Sequence, residues 1–179
     1  MGNIWKALLA WFSLFLPALA LSPANLQGPF RVEQAIDGDT LVVAGERVRL
    51  IGVDAPESSA NDRARRGAAE KGLTLEAMVR MGQRATTCLR DLLGGRPVHL
   101  ELDVQERDRY RRVLAYLYVE DPKGAWGWGG RRLTQLNWAL VRLGCAWVYT
   151  VPPNVRWAEL LLKAERAARR EGRGVHGEW

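Results

Sequence analysis

The sequence predicts an α+β fold: a meander of short strands, one helix, two more strands, then two further helices. Three observations predict it. Residues 30–53 alternate apolar and polar positions in short β-branched runs with turn residues between them. Residues 74–93 instead carry apolar residues at helical spacing and end on Gly94-Gly95. Alternation returns at 96–104 and 112–120, after which helical spacing resumes.

Each element has its own signal. FRVEQAI (30–36) places Phe30, Val32 and Ile36 as a first strand. An Asp37-Gly38 turn leads to TLVV (40–43), and Ala44-Gly45-Glu46 turns the chain into RVRLIGV (47–53). Pro56 in DAPE (54–57) stops that strand, since proline cannot donate to a ladder. SSANDRARRGAAEKGL (58–73) is polar, small and charged and reads as a mobile surface loop. The first helix follows from Leu75, Met78, Val79, Ala85, Leu89, Leu92 and Leu93. RPVHLELDV (96–104) and RVLAYLYVE (112–120) are the fourth and fifth strands, joined by the charged turn QERDRYR. DPKGAWGWGG (121–130) reads as a Gly-rich loop and RRLTQLNWALVRLG (131–144) as the second helix. Pro152-Pro153-Asn154 introduces a third helix over about 155–171, with Trp157, Leu160, Leu161, Ala164 and Ala168 on one side. Five short strands with a helix between the third and fourth can close as an OB-type barrel, a scaffold that often binds nucleic acid.

Composition narrows the partners. The chain of 179 residues is 47% apolar, enough for a real core, and carries a formal charge of +6. That excess suits a polyanion such as nucleic acid, or an anionic membrane surface. Residues 1–20 hold one base, Lys6, and no acid. LLAWFSLFL (8–16) is almost wholly apolar, and Ala18-Leu19-Ala20 supplies small residues. This is a signal-peptide layout. The alternative is an N-terminal membrane anchor through residues 4–21, at the lower length limit for a span. Residues 21–28 read as a linker and 29–175 as one domain. Cys88 and Cys145 sit among apolar neighbours and are expected as two buried thiols, with a bridge as the alternative in an exported chain. His99 and His176 are isolated, which argues against zinc and triad chemistry.

The chemistry gathers at strand ends. Asp39, Asp54 and Glu57 are carboxylates near a hairpin, where oxygen donors without nitrogen or sulfur suit Ca²⁺ or Mg²⁺. Arg49 interrupts an apolar strand and Arg112 opens another. Guanidinium groups bind phosphate bidentately, and together with a metal they stabilise the charge that grows in a phosphodiester displacement. Glu57 is placed to orient or deprotonate the attacking water. Each residue also has a plainer reading: Asp39 as a turn cap, Arg49 on the barrel's outer face, Arg112 as one of many surface arginines. Trp126 and Trp128 either stack on bases or tuck their loop against the barrel.

The pieces IDGDT (36–40), VRLIGVDAPES (48–58), DRYRRVLAYLYV (108–119) and LNWALVRLGCAWV (136–148) together resemble the staphylococcal-type thermonuclease family. The resemblance covers roughly residues 30–171. It implies a five-stranded OB-fold β-barrel with three α-helices, and Ca²⁺-dependent hydrolysis of DNA and RNA that breaks the 5′-oxygen bond and leaves 3′-phosphates. It assigns Asp39 and Asp54 as calcium carboxylates and the Ala55 carbonyl as a further donor. Glu57 becomes the general base, Arg49 and Arg112 the phosphate-binding arginines, and Tyr110 a contact to the bound nucleotide. Asp37 and Thr40 match residues that orient the metal site. Arg111 stands where the family has glycine; Arg112 is taken as the catalytic arginine because Val113-Leu114-Ala115-Tyr116 fixes the register. A second stacking tyrosine has no clean match, Tyr149 being near but shifted. The resulting expectation is a monomeric nuclease, secreted or in the cell envelope, with no protein partner evident. The alternative is a non-catalytic OB nucleic-acid-binding module.

Overall fold

The computed structural model describes residues 21–177, so the segment read as a signal peptide or anchor lies outside the described residues but for Leu21. Among the described residues no helix is long and apolar enough to cross a membrane. The family expectation of an OB-type α+β fold holds; among the described residues there are four α-helices rather than three and ten short strands rather than five, eight of them in a mixed sheet that does not close on itself.

Strands β2 (Val32–Ala35), β3 (Thr40–Val43) and β4 (Glu46–Leu50) form the antiparallel meander. Between β3 and β4 only Ala44 and Gly45 turn, at φ 50° and 78°. Two positive φ angles make a type I′ hairpin turn, whose twist matches its strands. β4 then continues the sheet by pairing parallel with β7 (Val113–Glu120), which pairs antiparallel with β6 (Val98–Glu101). β1 (Leu26–Phe30) lies on β6, so part of the stretch read as linker is in the sheet.

The third expected strand is bent. Gly52, at φ 77°, breaks RVRLIGV, and β5 (Gly52–Asp54) leaves the main sheet to pair with β10 (Trp147–Tyr149). A Cβ on Gly52 would lie 2.5 Å from Leu161 Cδ1, so both conformation and space require glycine.

Two segments differ from the sequence reading. Residues expected as a mobile loop form α1 (Asp62–Lys71). Asn61 caps it by accepting from Ala64 N–H at 2.8 Å, and Gly72 closes it at φ 66°. Its buried face is only Ala64 and Ala68, which pack on Met78; small side chains hid the periodicity. The expected second helix is split into β9 (Arg131–Gln135), paired with β7 and with β8 (Trp126–Trp128), and α3 (Leu136–Arg142). Leu133 and Gln135 are both buried, which is a strand's period of two.

α2 (Leu75–Leu93) runs between Thr74 and Gly94 caps and packs Met78, Ala85, Leu89 and Leu93 inward. α4 (Ala158–Arg170) buries Leu161, Ala164 and Ala168. The two cysteines are joined: a Cys88–Cys145 disulfide ties α2 to the end of α3, correcting the expectation of free thiols. Closing a 57-residue separation stabilises the fold by ~4 kcal/mol in the chain-entropy account. Trp126 is buried edge-on to Trp138 and Trp157, and Trp128 stands beside His99, so the tryptophans of β8 pack against the body.

Candidate active site

The β3–β4 register builds the site. Thr40 pairs with Arg49, and Leu50 N–H donates to the Asp39 carbonyl at 2.9 Å, so the Arg49 side chain rises next to Asp39. The Gly52 bend then turns Asp54 back toward the same point. Arg49 Nη1 stands 2.6 Å from Asp39 Oδ2 and Nη2 3.1 Å from Asp54 Oδ1. The first contact is too poorly aligned for a hydrogen bond and leaves that N–H without an acceptor. Asp39 is further held by Ala55 N–H at 2.7 Å and the Thr40 hydroxyl at 3.0 Å. Asp37 accepts from Asp39 N–H at 3.0 Å.

Gly38 separates the two acids because the chain passes there tight against two alanine methyls: a Cβ would lie 2.6 Å from the Ala55 Cβ and 2.7 Å from the Ala85 Cβ. The DGD triplet is thus wedged between the Ala55 turn and α2.

Three carboxylates crowd around Arg49 here, and Arg63 also acts on Asp54. Burial, then the charge of Asp39, raises the Asp37 carboxyl from 3.8 to about 6. Burial and Asp39 also raise Asp54, against the opposing pull of Arg49. Such an excess of negative charge at a partly open site is what a cation would relieve. Among the described residues no three Asp, Glu, His or Cys side chains stand in metal-binding geometry. Asp39 and Asp54 instead offer hard carboxylate oxygens on either side of Arg49, a donor chemistry that suits Ca²⁺ or Mg²⁺.

Arg49, Asp54 and Arg112 line one open cleft of about 730 Å³ together with Arg47, Arg63, Arg66, Arg109, Tyr110 and Tyr149. A depression of about 740 Å³ beside the disulfide is as large, so size does not single out the cleft; its six arginines do. Arg112 is fixed by Asp108, donating Nε to Oδ2 at 2.7 Å and its backbone N–H to Oδ1 at 2.9 Å. Burial would raise the Asp108 carboxyl, but the Arg112 hydrogen bonds outweigh it and hold it below the ordinary value. Tyr110 is 65% exposed and Tyr149 58%, and the Arg109 and Arg112 guanidiniums lie over the Tyr110 ring at 4.8 and 5.6 Å. Glu57 lies in an adjoining recess of about 210 Å³, which shares Asp54, Arg63 and Arg66 with the cleft.

A family model described as "Staphylococcal nuclease homologue" matches residues 47–177, well over half of the chain. The chain belongs to the staphylococcal nuclease homologue family. A relative named Thermonuclease from Staphylococcus hyicus is 30% identical over 154 residues, covering 84% of this chain and 76% of the relative. A Thermonuclease from Staphylococcus intermedius is 28% identical over 163 residues, covering 82% of each.

Within this family frame Arg49, Asp54, Arg112 and Tyr110 line one cleft, Asp39 is buried behind it against Arg49 and the Ala55 N–H, and Ala55 and Glu57 line the adjoining recess. It places Arg112, not Arg111, on the cleft. Arg111 is exposed at φ 64°, a left-handed conformation that favours the glycine usual in the family. Sequence reasoning missed Arg47, Arg63 and Arg66, and set Tyr149 aside. The β5–β10 pairing, which aligns Tyr149 with Gly52, carries Tyr149 to the cleft.

Proposed function

We propose that this cleft hydrolyses phosphodiester bonds of DNA and RNA with Ca²⁺, breaking the 5′-oxygen bond and leaving 3′-phosphates. The observation that carries the reading is the convergence of Asp54, Arg49 and Arg112 on one basic cleft with two exposed tyrosines, Asp39 being buried directly against Arg49. Asp39, Asp54 and the Ala55 carbonyl would hold the cation, which when bound withdraws charge from the phosphate oxygens.

The chain's own groups supply the rest. Arg49 and Arg112 donate to the non-bridging oxygens, where negative charge grows as the water attacks. Asp108 keeps the Arg112 guanidinium from swinging, so little reorganisation is needed. Glu57 accepts the proton of the attacking water. Tyr110 and Tyr149 offer platforms for bases, and Arg47, Arg66 and Arg109 for flanking phosphates. The apolar leader makes the enzyme a secreted or envelope protein, acting as a monomer.

Digestion of circular single-stranded DNA tests activity, metal and internal cutting together. The expected result is cleavage in Ca²⁺ and an intact circle in excess chelator. A circle that binds but stays intact in Ca²⁺ would return the chain to a nucleic-acid-binding module.

A further inference from the structure

Glu57 is gripped from two sides, and the grip comes from the helix that the sequence did not reveal. Arg63 Nε lies 3.0 Å from Glu57 Oε1, and Asn61 Nδ2 donates to Oε2 at 3.1 Å. One carboxylate oxygen therefore accepts a hydrogen bond and the other faces a guanidinium as an ion pair. Asn61 does two things with one amide: its oxygen caps α1 through Ala64 N–H, while its nitrogen holds Glu57. The start of α1 and the direction of the carboxylate are fixed by the same side chain.

The Glu57 backbone is held from behind. It passes so close to α2 that a Cβ on Gly82 would lie 2.2 Å from the Glu57 carbonyl oxygen. Glycine inside a helix costs ~1 kcal/mol against alanine, and here it makes room for this approach. α1 itself is anchored: Ala64 and Ala68 are buried, and Lys71 at its end lies over the Trp147 ring at 4.0 Å.

Stability does not explain the Glu57–Arg63 pair. Arg63 is 58% exposed in its side chain, and exposed ion pairs contribute ~0–1 kcal/mol. Geometry does. A carboxylate that takes a proton from water must point at that water, and a side chain with three torsions does not do so unaided. We propose that Asn61 and Arg63 are positioning residues for Glu57, so that α1 is a part of the catalytic apparatus and not only a wall of the cleft. This rests on the reading of Glu57 as the base.

The test is steady-state cleavage of a single-stranded oligonucleotide in Ca²⁺ by the full mature chain and four variants. Asn61→Ser is the cleanest, since serine keeps the cap and no charge changes. It should lower kcat ~10-fold or more with KM within about twofold and an unchanged melting temperature. Arg63→Gln should lower kcat comparably, and Arg63→Lys should recover part of it. Glu57→Gln should abolish cleavage. If Asn61→Ser and Arg63→Gln raise KM alone, or leave kcat unchanged or higher, while Glu57→Gln is inactive, the positioning role is wrong and the nuclease reading stands. If Glu57→Gln cleaves at the normal rate, Glu57 is not the base and the positioning role falls with it, while a wild type that does not cleave would overturn the nuclease reading itself.

Discussion

A buried acid on β6 and a cluster of acids beside the cleft are treated oppositely. Glu101, on β6, is completely buried and saturated with donors: Tyr118 hydroxyl at 2.6 Å, Ala24 N–H at 2.7 Å, Trp157 Nε1 at 2.8 Å and Arg156 Nε at 2.9 Å. It joins the N-terminal segment, the main sheet and the approach to α4. Asp37, Asp39 and Asp54 instead crowd around Arg49, which reaches only two of them, beside an open cleft. The first carboxylate has every need met within the fold. The second group is left short of positive charge, and strain of that kind marks a site built for something that arrives from outside.

The comparison can be broken at either end. The largest effect on folding should come from Glu101→Gln, which swaps an acceptor of three hydrogen bonds and the ion-pair partner of Arg156 for an amide that brings donors of its own. Urea unfolding should show a loss of ~3–5 kcal/mol, with the cleavage rate per folded molecule unchanged. Arg112→Gln should do the reverse. Cleavage should fall ~10²–10³-fold, while the melting temperature moves little, because Arg112 is tied mainly to Asp108 in one turn.

Asp37 sharpens the contrast through pH. Its carboxyl is raised in the folded chain from 3.8 to about 6. The folded state therefore holds the Asp37 proton more tightly than the unfolded state does. The resulting penalty is absent below about pH 4, grows as pH rises, and is complete above about pH 6. Asp37→Asn removes the charge and keeps an acceptor for Asp39 N–H. In cation-free buffer the variant should match the wild type near pH 4 and exceed it by up to ~3 kcal/mol near pH 7, read as the difference of two denaturation curves. The smallest effect belongs to Arg111→Gly. Relief of a left-handed conformation, less the entropy glycine costs, should stabilise by no more than ~1 kcal/mol, measured by thermal melting.

The parts of this architecture that repeat over several residues were legible in the sequence. Alternation located β2, β3, β4, β6 and β7, and helical spacing located α2 and α4. What escaped has specific causes. α1 buries alanines, so its apolar face is too small to register among the arginines. β9 and α3 run together without a break, and Leu133, Leu136 and Leu140 satisfy helical spacing although Leu133 belongs to a strand. At the site, Asp39, Arg49 and Asp54 were legible because charges within strands of apolar residues demand an explanation. Asn61, Arg63 and Gly82 were not. Their roles depend on how α1 and α2 close over Glu57, which no local pattern encodes. The disulfide likewise depends on α2 meeting the end of α3, 57 residues away in the chain.

The central claim is that the Asp37–Asp39–Asp54 cluster is held short of positive charge for a cation. Thermal denaturation at neutral pH with and without Ca²⁺, on wild type, Asp54→Asn and Glu101→Gln, tests it most directly. Calcium should raise the melting temperature of the wild type and of Glu101→Gln by similar amounts, and should scarcely move Asp54→Asn. No shift in the wild type, or an equal shift in Asp54→Asn, would contradict the account.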